Sequence, residues 1–262
     1  MTDDATQGLD LQPEKPHSAR FWNYLLGGKD NFEADQRLGE QLKAEWPAAV
    51  DIARASRAFL GRTVRHLAGE AGVRQFLDIG TGLPTADNTH EVAQRVAPDA
   101  RIVYVDHDPI VLAHARALLT STPEGATDYV DADLTAPDTV LAHATRTLDL
   151  ERPVALMLLS TIGHVQDPIE AAQLVQTYMA RLAHGSYLVL CTTLASPAVN
   201  AANETYAASG TIPYVASTAD GMMAMAAGLT IPPPGLGPIN RWYPEGPMDP
   251  DVDQWGYVAY KE

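Results

Sequence analysis

Three carboxylates and two glycines are the residues of this chain whose types and spacing best suit shared chemistry. Asp78 closes the apolar run "QFLDIG", and Gly80 and Gly82 follow at once. Asp106 ends a second run, "RIVYVDHD", 24 residues past Gly82. Asp133 ends a third, "TDYVDADL". Glycines after a strand let the backbone approach a ligand closely. An acid about 20 residues later suits ribose hydroxyls. Asp133 is placed on the same rim, where it can accept from an adenine amine. Three acids together repel a pyrophosphate and favour a ligand that carries positive charge.

A dinucleotide loop would have a third glycine where this chain has Pro84. That glycine lets a helix N-terminus pack against pyrophosphate. Here Asn88 and Glu91 have the spacing of a capping box. The helix is therefore expected to start near Thr89, with Leu83 and Pro84 in a stiff extended loop. S-adenosylmethionine, cationic at its sulfonium and amino group, suits this cradle better than NAD. An NAD-dependent oxidoreductase is the reading Pro84 argues against. A non-catalytic protein that binds S-adenosylmethionine and regulates is a further alternative.

Methyl transfer needs a base only where the acceptor must lose a proton. His164, just past the fourth run "PVALMLLS", is the candidate, because histidine titrates near neutral pH. The plainer reading is a structural loop histidine. His107 is read as packing on adenine or facing solvent, and His90 as structural. The single cysteine, Cys191, lies in "SYLVLCTTL" and reads as a small buried hydrophobe. No metal site is expected.

The elements that must hold these groups follow from the hydrophobic pattern. Five short runs, the four above and "SYLVLCTT", alternate with helical segments near Thr89–Val96, 109–119, 137–148 and 168–183. Several runs are apolar on both faces, as in a parallel sheet covered by helices on each side. The fold class is α/β: a Rossmann-like, doubly wound sheet of five parallel strands. "GLGPINRWYP" and "QWGYVAYKE", joined by "PEGPMDPDVD", predict a C-terminal antiparallel hairpin. The expected divisions are a flexible N-terminus over 1–17, a helical lid or extension over 18–72, and the sheet domain over 73–262.

Within the extension, "NYLLGGKDNF" has two readings. One is a helix–turn–helix joint with Asp30 or Asn31 as N-cap. The other is a lid, in which Tyr24 stacks or hydrogen-bonds and Lys29 meets the ligand's carboxylate. Arg57 is a second candidate for that carboxylate. Residues 195–227, with Tyr206, Tyr214, Met222, Met223 and Met225, are either core or an apolar acceptor pocket.

The net charge of −15 supplies no electrostatic footprint for nucleic acid or an anionic membrane. No run approaches the ~20 apolar residues of a bilayer span, and the first twenty residues lack the pattern of a secretory signal. A cytoplasmic location is expected.

The order "FLDIGTG", "VYVDHDP" and "VDADL", before a parallel sheet and hairpin, resembles class I S-adenosylmethionine-dependent methyltransferases. "RFWNYLLGGKDNFEADQ", "DIGTGLPT" with "HEVAQ", and "RWYPEGP" with "WGYVAY" resemble an actinobacterial S-adenosyl methyltransferase family formerly catalogued as a domain of unknown function. The resemblance spans residues 18 to 261. It departs at Ser56, where the family pattern has asparagine, and at "STIGHV", which keeps only His164 and Val165 of the family's segment. It implies that Asp78, Gly80, Thr81 and Gly82 hold the methionine moiety. Asp106 would hold the ribose, and Asp133 with Leu134 the adenine. It further implies a small-molecule acceptor methylated at oxygen or nitrogen in specialised metabolism. A homodimer is compatible with this reading.

Overall fold

The computed structural model describes residues 11–118, 120–246 and 250–262. Three helices open the chain: α1 (Ser18–Leu25), α2 (Glu33–Glu45) and α3 (Ala49–Gly69). Strands and helices then alternate through β1 (Gln75–Ile79), α4 (Thr89–Val96), β2 (Arg101–Asp106), α5 (Pro109–Leu118), β3 (Ala126–Asp131), α6 (Pro137–Ala144) and β4 (Ala155–Leu159). A 3-10 turn at Ile162–His164 leads to α7 (Pro168–Ala180) and β5 (Tyr187–Thr193). Next come α8 (Pro197–Ala208), α9 (Ala219–Met225), β6 (Gly237–Pro238), a second 3-10 turn at Ile239–Arg241, and β7 (Gln254–Tyr260).

The sheet order is β3-β2-β1-β4-β5-β7-β6. The first five strands pair in parallel, and β7 runs antiparallel to both β5 and β6. The order reverses between β1 and β4, where an open α/β sheet presents its ligand crevice. The doubly wound sheet and terminal hairpin are as expected. The first hairpin strand is only two residues long, because the chain turns into a 3-10 segment at Ile239. Residues 247–249 of the connecting turn lie outside the described residues, as do residues 1–10 of the expected flexible N-terminus.

Each face of the sheet buries its own apolar layer. Leu77, Val103, Leu156 and Leu190 meet Val140 of α6 and Val175 of α7 on one side. Phe76, Ile102, Met157 and Val189 meet Phe59, Val64 and Leu67 of α3 on the other. A third cluster joins α1 and α2 to α8 through Phe21, Leu25, Leu38, Leu42, Ala202 and Tyr206. So α3 packs along the sheet, while Ala49 and Ala53 near its start join the cluster that α1 and α2 form with α8.

The extension is tied together by a buried ion pair. Arg20 is 3% exposed and Asp35 0%. Nε of Arg20 donates to Oδ2 of Asp35 at 2.8 Å. The same carboxylate accepts the backbone N–H groups of His17 and Phe32, each at 2.8 Å. The guanidinium also donates to the carbonyls of Leu11 and Lys15. Residues 11–17 are thereby drawn against α1.

The N-cap of α2 is Phe32, not Asp30 or Asn31. Asn23 claims those two: its Oδ1 accepts from the Asp30 N–H at 3.0 Å and from Nδ2 of Asn31 at 2.8 Å.

Candidate functional site

β1 delivers Asp78 to the rim, where it is 5% exposed. Thr89, the first residue of α4, donates its hydroxyl to Oδ2 at 2.6 Å. Burial pushes the Asp78 carboxyl up to about 6, against the Thr89 hydrogen bond and the charge of Arg57, while Asp106 adds to the rise. The charge of Arg57 and the Thr89 hydrogen bond offset only part of the cost of burial.

Gly80 continues the ladder by donating to Val105 O at 2.8 Å, and its φ is +74°. A Cβ there would lie 2.1 Å from Oγ1 of Thr161. Glycine is thus required twice, by backbone conformation and by the approach of the loop after β4. Gly82, at φ +64°, donates its N–H to Oδ2 of Asp106 at 3.1 Å. Asp108 N–H meets Oδ1 of the same carboxylate at 3.0 Å. Burial pushes Asp106 up, and these two bonds oppose the rise.

α4 starts at Thr89 as its sequence predicts, with Asn88 N–H donating to Oε2 of Glu91 at 2.8 Å. Asn88 also bridges back to Thr85, accepting from its N–H and donating to its carbonyl. Arg57 closes the far side of the loop, donating to the carbonyls of Ala86 and Asp87 at 2.9 Å each. Leu83 and Pro84 therefore sit in a loop braced at both ends.

Asp133 is exposed, and its Oδ1 accepts from both the N–H and the hydroxyl of Thr135 at 2.7 Å. Burial works to raise its carboxyl, but the Thr135 hydrogen bonds win and hold it below the usual range. Leu134 is fixed by its carbonyl, which accepts from the Tyr178 hydroxyl at 2.8 Å.

His164 ends the 3-10 turn after β4. Its Nδ1 stands 3.1 Å from the Pro213 carbonyl. Its ring packs edge-on against Tyr214, with centroids 5.2 Å apart. A carbonyl only accepts, so Nδ1 carries the hydrogen and Nε2 keeps its lone pair in the neutral ring. Burial lowers the imidazole's pKa, with the Pro213 bond opposing.

One cleft is lined by every cofactor or catalytic candidate of the sequence except Tyr24 and Lys29. Tyr24 turns the other way: its hydroxyl meets Glu40 on α2, and Lys43 lies over its ring. Lys29 is exposed and does not line the cleft. The opposite side of α1 and its two cap residues line it instead, through Trp22 and Asn23 with His17 and Leu26. The segment 195–227 contributes Ile212 to the cleft, and none of its tyrosines or methionines. Tyr206, Met222 and Met225 are buried in core clusters, and Met223 faces solvent.

The structure adds residues that sequence reasoning missed. Tyr104 and Tyr129 pair in register with Asp78 across three strands and line the cleft. Their rings stack 5.2 Å apart. The repeated "Tyr-Val-Asp" at the ends of β2 and β3 was the available signal. Ser160, with φ +60°, and Thr161 line the cleft at the end of β4. Nothing in the sequence marks them, because their importance comes from the close approach of β1.

A braced glycine loop over a buried, countercharge-seeking acid, with further acids at the next two strand ends, defines a Rossmann-like methyltransferase class of site. The comparisons with known proteins agree. The chain belongs to the S-adenosyl methyltransferase family, whose model matches residues 4–261. It is similar to a DUF574 family protein from Streptomyces avermitilis, at 42% identity and a TM-score of 0.90, covering 95% of this chain and 99% of that one. It is also similar to a proposed methyltransferase from Thermobifida fusca, at 38% identity and a TM-score of 0.89, covering 98% of each chain. An S-adenosylmethionine-dependent methyltransferase from Anabaena variabilis shares the fold at 14% identity and a TM-score of 0.51, covering 93% of this chain and 95% of that one. A search of curated proteins found no match. The protein is thus an S-adenosylmethionine-dependent methyltransferase. No helix among the described residues is long and apolar enough to cross a membrane.

Proposed function

We propose that this enzyme methylates an oxygen or nitrogen of a small molecule, holding both reactants in the cleft over β1–β4. The observation that supports this most is the environment of Asp78, a buried carboxylate pushed up to about 6 on the cleft wall. A cation beside it would restore its ordinary ionisation. S-adenosylmethionine supplies an electrophilic methyl group on a sulfonium. In this reading Asp78, Gly80, Thr81 and Gly82 hold the methionine moiety. Asp106 holds the ribose, while Asp133, Leu134 and His107 border the adenine. Arg57 faces the ligand's carboxylate, and α1 covers the cleft and excludes water. The chain's own catalytic work is positioning, with His164 as proton acceptor.

Calorimetric titration with S-adenosylhomocysteine and NAD tests the cofactor site. Binding of the first and not the second is expected. Asp106→Ala should weaken S-adenosylhomocysteine roughly tenfold to hundredfold, the weight of about 1.5–3 kcal/mol for charged hydrogen bonds. Unchanged affinity would mean that the ribose lies elsewhere.

His164 is tested by kinetics with labelled S-adenosylmethionine. His164→Gln should lower kcat by about 10²–10⁴-fold and leave S-adenosylhomocysteine affinity within twofold. An unchanged kcat would leave His164 a structural residue.

A further inference from the structure

We infer that the methyl acceptor is an uncharged phenol, held by its apolar body against α1 and Ile212, with its hydroxyl directed to Nε2 of His164. This rests on the placement of the cofactor proposed above and goes beyond it by naming the acceptor's class.

The charges around the cleft are sorted by side. The acids that line it are Asp78, Asp106 and Asp133, all on the rim of β1–β3. The remaining wall, from α1 and its flanks, α3, the turn after β4 and the segment after α8, carries Trp22, Leu26, Leu60 and Ile212 with His17, Asn23, Ser56 and His164. Asp108 approaches this side, but it does not line the cleft, is 5% exposed, and faces Nδ1 of His17 at 3.0 Å. An alkylamine would arrive as an ammonium ion and find no carboxylate on this wall. A carboxylate acceptor would find no free cation, because Arg57, the guanidinium that lines the cleft, is taken by the cofactor's own carboxylate in the reading above. Burying either ion without a partner is costly. An uncharged body meets no such cost.

The polar groups on this wall suit a hydroxyl. The Pro213 carbonyl at 3.1 Å fixes the hydrogen of His164 on Nδ1, which leaves Nε2 as an acceptor. Ser56 Oγ is buried without a hydrogen-bond partner. It lines the same cleft. A phenol ionises near about 10, as tyrosine does, which is within reach of an imidazole base. An aliphatic alcohol ionises far higher. In the transfer the phenol's O–H proton goes to Nε2 as its oxygen bonds the methyl carbon. The carbon–sulfur bond breaks and its electron pair stays on sulfur. The imidazolium then releases the proton to solvent.

A matched set of probes separates the acceptor classes: 2-naphthol, 2-naphthylmethylamine and 2-naphthoate. S-adenosylhomocysteine binding to the full chain is first established by calorimetry. Failure at that step overturns the cofactor reading rather than this one. Saturation-transfer NMR then reads each probe on the protein saturated with S-adenosylhomocysteine. Transfer of labelled methyl is read separately with S-adenosylmethionine. The naphthol should bind at least tenfold more tightly than the other two and yield a labelled aryl methyl ether. In His164→Gln its binding should persist while labelling falls at least a hundredfold. The inference is overturned if the ammonium or the carboxylate binds as well as the naphthol. It is equally overturned if none of the three binds, or if the naphthol binds and is not labelled.

Discussion

Asp78→Asn is expected to remove S-adenosylhomocysteine binding while leaving the free protein as stable as before, or more so. The two effects share one cause. In the free protein the Asp78 carboxyl is pushed from its ordinary 3.8 to about 6, chiefly by burial. At 1.36 kcal/mol per pH unit, ionising it in place costs about 3 kcal/mol more than in the unfolded chain. An amide of the same shape removes that cost and can still accept the Thr89 hydroxyl. It cannot pair with the ligand's ammonium. Truncating one partner of a desolvated charge pair costs about 2–5 kcal/mol, or from roughly thirtyfold to several thousandfold in affinity.

The pH dependence has a defined sign. Because the folded pKa is raised, the free native state holds the proton more tightly than the unfolded chain. Protonation of Asp78 therefore stabilises the free protein as pH falls from about 6 towards 3.8, and that stabilisation is lost as pH rises through 6. Ligand binding runs the other way, because it needs the ionised form. The wild-type dissociation constant should rise about fivefold between pH 6 and pH 5, and Asp78→Asn should show no such slope. Calorimetry at pH 5, 6 and 7.5 on both proteins checks this. A mutant that binds as the wild type does, or a wild type with flat affinity, would remove Asp78 from the site.

Asp35→Ala is expected to release α1 and α2 from the sheet domain. Asp35 is 0% exposed and holds Arg20 together with the N–H groups of His17 and Phe32. Removing it leaves a buried guanidinium without its counterion and two backbone donors unmatched. Breaking a buried pair from one side costs about 3–5 kcal/mol. These three partners flank or belong to α1 and α2, so the destabilisation should appear as local opening there. Amides from residue 17 to 46 should exchange near the unprotected rate, while those of β1, β2 and β4 stay protected. Because α1 lines the cleft, S-adenosylhomocysteine should bind more weakly. The double variant Arg20→Met with Asp35→Leu removes both charges and should recover much of the protection. Unaltered exchange in Asp35→Ala would assign the anchoring to the apolar cluster of Phe21, Leu25 and Leu42 alone.

The sequence by itself determined the sheet and the rim of glycines and acids on one side of the cleft. Strand runs, the Asn88–Glu91 cap and the glycines of the first loop are local signals, set by neighbours a few residues away. Strand ends in a parallel sheet share one edge, so Asp78, Asp106 and Asp133 could be placed together without coordinates. Tertiary structure alone decided the other wall. Tyr24 and Lys29 sit beside a glycine joint that reads as a hinge. Yet the face α1 presents to the cleft is chosen by the buried Arg20–Asp35 pair and by packing on α2 and α8, and it carries Trp22 and Leu26 instead. The methionines and tyrosines after β5 are spaced like a pocket lining, but a helical stripe reads the same whether it meets a ligand or a core. Ser160 and Thr161 matter because β4 lies beside β1, a neighbour in the sheet that is remote along the chain. Which side of an element faces a ligand depends on such long-range packing, and no local pattern records it.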